Sequence, residues 1–158
     1  MSVHADRYGV DVATAQSAAV AHLDDAIDSF LRFANDGGEH LGAALDADPD
    51  LVLGHCLMGY FMRLANDPTL LPGGEAALVR ATEIVAQGAA GARERHHAAA
   101  LACWYADDWL GAIGHWERAL LENPRDMLAL WVSHLVQFFM GRMVPLRDSA
   151  ARALPFWS

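Results

Sequence analysis

The feature that most constrains this chain is a helical pattern that occurs twice. Trp109, Ile113, Trp116 and Leu120 recur at i, i+4, i+7 and i+11, which lines one helix face, while His115, Glu117, Arg118 and Glu122 mostly take the other. Small Ala112 and Ala119 sit where a neighbouring helix must approach closely. Asn123-Pro124 then reads as an N-cap followed by proline at the first helical position, where its missing N–H costs nothing, so a new helix starts at once. Pro49 lies 75 positions before Pro124 (124 − 49), and the stretch around it repeats the pattern: His40 corresponds to His115, Leu41 to Trp116, Ala44 to Ala119, Leu45 to Leu120 and Leu53 to Leu128. Half of that offset is close to a helix-pair repeat of roughly 34 residues. Pro68 and the Leu71-Pro72-Gly73-Gly74 turn supply the extra loop length.

Periodicity and breakers together predict one all-α domain over residues 1–158, built of about four helix pairs. The pairs run roughly 16–35 with 38–47, 50–66 with 74–88, 93–107 with 109–122 and 125–141 with 144–154. Asp36-Gly37-Gly38, Asn66-Asp67-Pro68, Gly88 to Gly91, Asp107-Asp108 and Gly141-Arg142 mark the breaks between helices. No segment alternates with period two over a useful length, so no strand is expected.

Composition excludes several classes of function. The chain is 54% hydrophobic and 20% charged, which suits a compact helical core. Its net charge is −9, and all 11 basic residues are arginine. Nucleic acid and anionic membrane surfaces therefore find no basic stripe. The absence of lysine removes Schiff-base chemistry and the phosphate-gripping P-loop. Cys56 and Cys103 both fall in apolar helical stretches and read as small buried thiols in a reducing cytoplasm. The N-terminus does not read as a secretory signal, and the apolar run Leu51 to Met62 is shorter than the roughly 18 residues of a membrane span.

The residues at 108–124, an aspartate, an aromatic, Ala-Ile, an aromatic, Ala-Leu and then Asn-Pro, resemble the second helix of a tetratricopeptide repeat. Gly59 falls where the first helix of such a repeat carries a small residue. More narrowly, Leu51 to His55, Arg93 to His96, Trp116-Glu117, Pro124 to Asp126 with Leu128 to Leu130, Phe138 to Gly141, Leu146 to Ser149 and Arg152 to Trp157 resemble the tetratricopeptide repeat protein 38 family across nearly the whole chain. The resemblance implies a right-handed superhelical solenoid of α-hairpins and no particular activity. It also implies a longer protein of which this is the N-terminal part. Leu154, Phe156 and Trp157 are then an exposed apolar end, not the polar cap a solenoid needs, and are expected to self-associate or to dock onto further repeats. Leu135 stands after His134 where the family is expected to carry an acidic residue.

Eight histidines raise a metal hypothesis. His55, Glu94, His97 and His134 are the candidate ligands or bases. Adjacent His96 and His97 diverge by about 100° on a helix, and Glu94-x-x-His97 is a single copy of a spacing that di-iron bundles use twice. Glu94 to His97 otherwise read as a solvated, charge-laced helix start, where Glu94 suits the helix dipole. Asp46, Asp48 and Asp50 copy the first ligand spacings of a calcium loop, but Leu51 and Leu57 occupy its glycine and glutamate positions. Ser133-His134 and His55-Cys56 are sequence neighbours that point apart, so neither makes a nucleophile-base pair by itself.

The aromatic set Trp104, Trp109, Trp116, Trp131, Phe138 and Phe139 is expected in the core between helices. In repeats of this type the first helix of each pair lines the concave side, which would present Cys56, Tyr60 and Arg63 from one pair and Leu128, Trp131 and Phe138 from another. Tyr60 beside Arg63 suits a carboxylate or an aromatic ligand. The leading expectation is an interaction module that holds a protein or peptide in that groove, with no cofactor. The rival is part of a hydrolase or metal-dependent enzyme whose site is completed by a missing C-terminal portion.

Overall fold

The computed structural model describes residues 2–157. Among them are eight helices in four antiparallel pairs: α1 (Ser17–Leu31) with α2 (Gly37–Ala47), α3 (Val52–Leu64) with α4 (Leu71–Ala86), α5 (Ala92–Tyr105) with α6 (Trp109–Glu122), and α7 (Met127–Phe139) with α8 (Met143–Ala153). Several of the helices form around one apolar stripe. In α1, Val20, Leu23, Ile27 and Phe30 are buried, and in α6 the stripe is Ile113, Trp116 and Leu120 flanked by Ala112 and Ala119. Successive pairs join through α3 against α5, α4 against α5 and α6 against α7. No described helix is long and apolar enough to cross a membrane.

The four first helices end alike. Phe33, Asn66, Asp107 and Gly141 all have positive φ, of 54°, 51°, 59° and 70°, just past the ends of α1, α3, α5 and α7. A left-handed residue at this point reverses the chain and lets following N–H groups bond back to the last carbonyls, as Ala34 N–H does to the Ser29 carbonyl and Arg142 N–H to that of Gln137. Asn66 and Gly141 are separated by the same offset as Pro49 and Pro124, so the spacing marks matching turns in the second and fourth helix pairs.

The prolines do not start the helices. The Asp48 and Asn123 N–H groups close α2 and α6 onto the Ala44 and Ala119 carbonyls. Leu51 and Asp126 N–H then bond back to the Asp48 and Asn123 carbonyls at 3.1 and 2.9 Å. Pro49 and Pro124 thus occupy the second position of matching β-turns, where a fixed φ is favoured, and α3 and α7 begin three residues later. Leu71-Pro72-Gly73-Gly74 is also not a turn. It forms the first turn of α4, with proline at the helix start where it is tolerated.

A second correction concerns strands. Val3–Ala5 (β1) and Asp11–Ala13 (β2) pair antiparallel, with Val3 opposite Ala13 and Ala5 opposite Asp11. The turn is built by Asp6, whose Oδ1 accepts from the Tyr8 and Val10 N–H groups at 2.9 Å, and by Gly9 at φ 79°. Three-residue strands are too short for a period-two signal. The hairpin is fastened to α1 by Arg7, whose N–H donates to Asp24 Oδ2 at 2.9 Å and whose guanidinium donates to Asp25 at 2.7 Å.

Two glycines let α5 approach α3 and α4. A Cβ on Gly59 would stand 2.7 Å from Leu101 Cδ2, and one on Gly74 would collide with the Tyr105 hydroxyl, which itself donates to the Gly59 carbonyl at 3.0 Å. Gly59→Ala is expected to destabilise the protein by about 1–3 kcal/mol in urea denaturation, because fully buried Leu101 must leave its rotamer well. A stabilised variant, as helix propensity alone would give, would show that α5 can move away.

Asp24 supplies a pH test. Burial raises its carboxyl to about 6 against the pull of the Arg7 N–H, and its Oδ1 has no hydrogen-bond partner. The folded state then binds a proton between about pH 4 and 6 that the unfolded chain has already released, so this group's contribution to stability falls as pH rises through that window. Asp24→Asn should gain on the parent in melting temperature at pH 7, and the gain should shrink toward pH 4. A gap independent of pH would refute the assignment.

Candidate partner-binding cleft and the buried polar chain

The expected groove residues separate. Cys56 and Tyr60 are fully buried, because α3 is enclosed by α1, α2, α4 and α5. They line no open surface. Arg63 is drawn away to the α5–α6 corner, where it pairs with Asp107 and lies over the Tyr105 and Trp109 rings at 5.7 and 6.0 Å. Leu128 is in the core too. The Tyr60–Arg63 recognition pair therefore does not exist as a surface. Trp104 and Trp116 are core as expected, but Trp109 and Trp131 are half-buried, and Phe138 and Phe139 are exposed by 59% and 64%.

An open cleft lies elsewhere. Phe30, Phe33 and Ala34 at the end of α1, Phe61, Leu64 and Ala65 at the end of α3, and Trp131, Leu135 and Phe139 on α7 enclose about 410 Å³. Its floor is Phe30, with the Phe61 ring 5.0 Å away and the Trp131 ring stacked at 6.2 Å. Of the predicted residues Trp131 lines it, and Phe138 lies beside it against Phe139 at 5.9 Å. Leu135 becomes part of the wall. Sequence reasoning missed Phe30, Phe33, Phe61 and Leu64, although the two i, i+3 pairs close equivalent helices. It placed the groove at mid-helix, where the stack is instead filled.

Beneath the cleft's level, Tyr60 belongs to a chain of polar groups. The Trp116 indole N–H donates to the Tyr60 oxygen at 2.9 Å, and the Tyr60 hydroxyl lies 3.0 Å from His97 Nδ1 and 2.9 Å from the His97 carbonyl. His97 Nε2 is 3.1 Å from Asp126 Oδ2. The carboxylate can only accept, so that nitrogen carries the proton. Arg93 grips both Asp126 oxygens at 3.0 Å and donates to Asp6 at 2.8 Å.

Burial pushes the Asp126 carboxyl up, but Arg93 and His97 overcome it and hold the group well below the usual carboxylate range. Burial, reinforced by Cys56 and Asp126, pushes the Tyr60 hydroxyl up against the pull of the Trp116 N–H, and burial reinforced by Glu94 pushes the Cys56 thiol up. The order carboxylate, imidazole, hydroxyl is that of a proton relay. Each of these groups is nevertheless sealed from solvent, so no substrate atom reaches them, and the chain acts as a lock.

Residues 94–97 are accordingly only in part a solvated helix start: Arg95 is exposed, but Glu94 and His97 are buried, as is Arg93 before them. Glu94 accepts from the Gly91 N–H as a helix cap and from the Ala13 N–H of β2, both at 2.9 Å. The other proposed ligands are also engaged. His55 Nε2 reaches the Pro49 carbonyl at 2.8 Å and His134 Nε2 the Ser149 hydroxyl at 3.0 Å. His55, Glu94, His97 and His134 thus belong to four separate sets of contacts and do not form a single group. Burial lowers the His134 imidazole.

Replacing Arg93 by methionine leaves Asp6 and Asp126 buried without their cation. A loss of about 3–5 kcal/mol is expected in denaturant unfolding; a loss near zero would mean that both carboxylates reach water. Since Asp126 is held below its unfolded range, its own contribution is present above about pH 4 and disappears as pH falls further. No family model matches this chain, and no solved structure matches it.

Proposed function

We propose that this protein is a cytoplasmic interaction module built on a tetratricopeptide-like stack, the fold that its resemblance to the tetratricopeptide repeat protein 38 family implies, and that its cleft takes the apolar face of a partner helix. The four antiparallel pairs and the recurring offset of the turns favour a repeat stack, and the free thiols Cys56 and Cys103 suit a reducing compartment.

Phe33 carries the reading. Asn66, Asp107 and Gly141 at the equivalent corners are residues that tolerate positive φ, whereas Phe33 is bulky and is 83% exposed at the cleft rim. Left-handed backbone costs an ordinary L-residue roughly 1–2 kcal/mol. The helix-closing bond from the Ala34 N–H to the Ser29 carbonyl needs only the backbone, so nothing in the fold calls for a phenylalanine at this position. Strain of this kind persists where a side chain serves binding.

The lining is free of charged side chains. Its volume suits about two or three anchors, the number that a helix presents at i, i+3 or i+4, and i+7. The net charge of −9 favours basic flanks on the partner.

A labelled amphipathic helical peptide with leucine anchors and arginine flanks tests this by fluorescence anisotropy. Phe33→Gly should raise stability by about 0.5–1 kcal/mol while weakening peptide binding roughly tenfold or more. Leu135→Arg should abolish binding, and Phe156→Ala, away from the cleft, should leave it unchanged. Equal affinity for parent, Phe33→Gly and Leu135→Arg would overturn the proposal.

A further inference from the structure

A separate group of side chains lies on the outer face of the first helix pair. His22 and Asp25 are one turn apart on α1, and His40 stands on α2 packed against it. One ligand atom from each residue lies within 4.8 Å of the other two. All three side chains are half-buried, so their stems are held by the hairpin while the space between their tips opens to water.

Neighbouring groups orient this set. Arg7 donates to Asp25 Oδ1 at 2.7 Å and leaves Oδ2 available. Asp36, itself held by the Ser29 hydroxyl, lies 3.6 Å from His40 Nε2. Fixing of ligand side chains by outer carboxylates and hydrogen bonds is how metal sites are pre-organised. His22 makes no hydrogen bond or ion pair among the described residues, which leaves its ring nitrogens free for another partner.

We infer that His22, Asp25 and His40 bind a divalent cation of the zinc class, clipping α1 to α2 and leaving a fourth coordination position open to water. Two imidazoles and one carboxylate suit zinc, cobalt, nickel or copper, and do not suit calcium or magnesium, which take mostly oxygen ligands. At bond lengths of about 2.0–2.1 Å, tetrahedral geometry places ligand atoms about 3.4 Å apart. Rotation about the χ angles of half-exposed side chains can supply a contraction of that size. With three protein ligands, one of them shared with Arg7, the site binds more weakly than a closed four-ligand structural zinc site.

The test is calorimetric titration of the full chain with zinc chloride, with cobalt(II) as a spectroscopic probe. One zinc ion per chain is expected, together with the visible d–d band of four-coordinate cobalt. At an ion concentration about a hundredfold above Kd the melting temperature should rise by about 5 °C or more. His22→Ala and His40→Ala should each weaken binding at least tenfold. Asp25→Asn, which keeps the side-chain shape, should do the same while circular dichroism stays unchanged. His55→Ala, whose imidazole is engaged on the Pro49 carbonyl, should bind zinc as the parent does. Absence of saturable zinc binding, unchanged affinity in His22→Ala, or equal affinity for magnesium would each overturn the inference.

Discussion

The guanidinium of Arg93, buried between Asp6 and Asp126, is the interaction on which the rest of this structure depends. It joins three parts of the chain that are distant in sequence: the N-terminal hairpin, the start of α5 and the start of α7. Asp126 also caps α7 by accepting from the Ala129 N–H at 3.1 Å and receives the imidazole of His97. Two carboxylates around one guanidinium satisfy donors and acceptors that would be costly to bury alone. A buried ion pair of this kind does not add much stability over a well-packed apolar replacement. What it does is tie the hairpin and the starts of α5 and α7 to one another, since parting any of them leaves a buried charge without its partner.

The filled middle of the stack explains where the open surface is. With Tyr60, Trp104 and Trp116 packed against one another there, a groove along the centre does not form. The open surface lies instead where the C-terminal ends of α1 and α3 meet the side of α7, with Phe30 of α1 against both Phe61 of α3 and Trp131 of α7. The cleft is the space between those two helix ends and the Trp131, Leu135 and Phe139 side chains of α7. The chain's last described residues are drawn into the same closure: Trp157 packs edge-on against Tyr8 at 5.4 Å and donates to the Pro124 carbonyl at 3.1 Å, while Leu154 and Phe156 stay exposed.

Much of the helical architecture was legible because its signals are local. A stripe such as Ile113, Trp116 and Leu120, closed by Asn123-Pro124, specifies a helix, its buried face and its end within one short segment, and the same holds around Pro49. The hairpin was not legible: its strands are three residues long, and what stabilises it is Asp6 on Arg93 and Ala13 on Glu94, contacts across most of the chain. The cleft was half legible. Trp131 was read as a groove residue, whereas Tyr60 and Arg63, with the same helical spacing, went to the core and to an ion pair with Asp107.

Side-chain periodicity and the φ preferences of single residues are enough to place the eight helices and most of their breaks, though not the first turn of α4 or the reversal in the N-terminal hairpin. Which apolar faces are covered, which charges are sealed in and which histidines come near one another follow from the packing. Burial is set by what a neighbouring helix brings to the same place. Arg93 and Arg63 are alike as residues, yet one is enclosed by two carboxylates from remote segments and the other lies at an exposed corner. No local pattern distinguishes them.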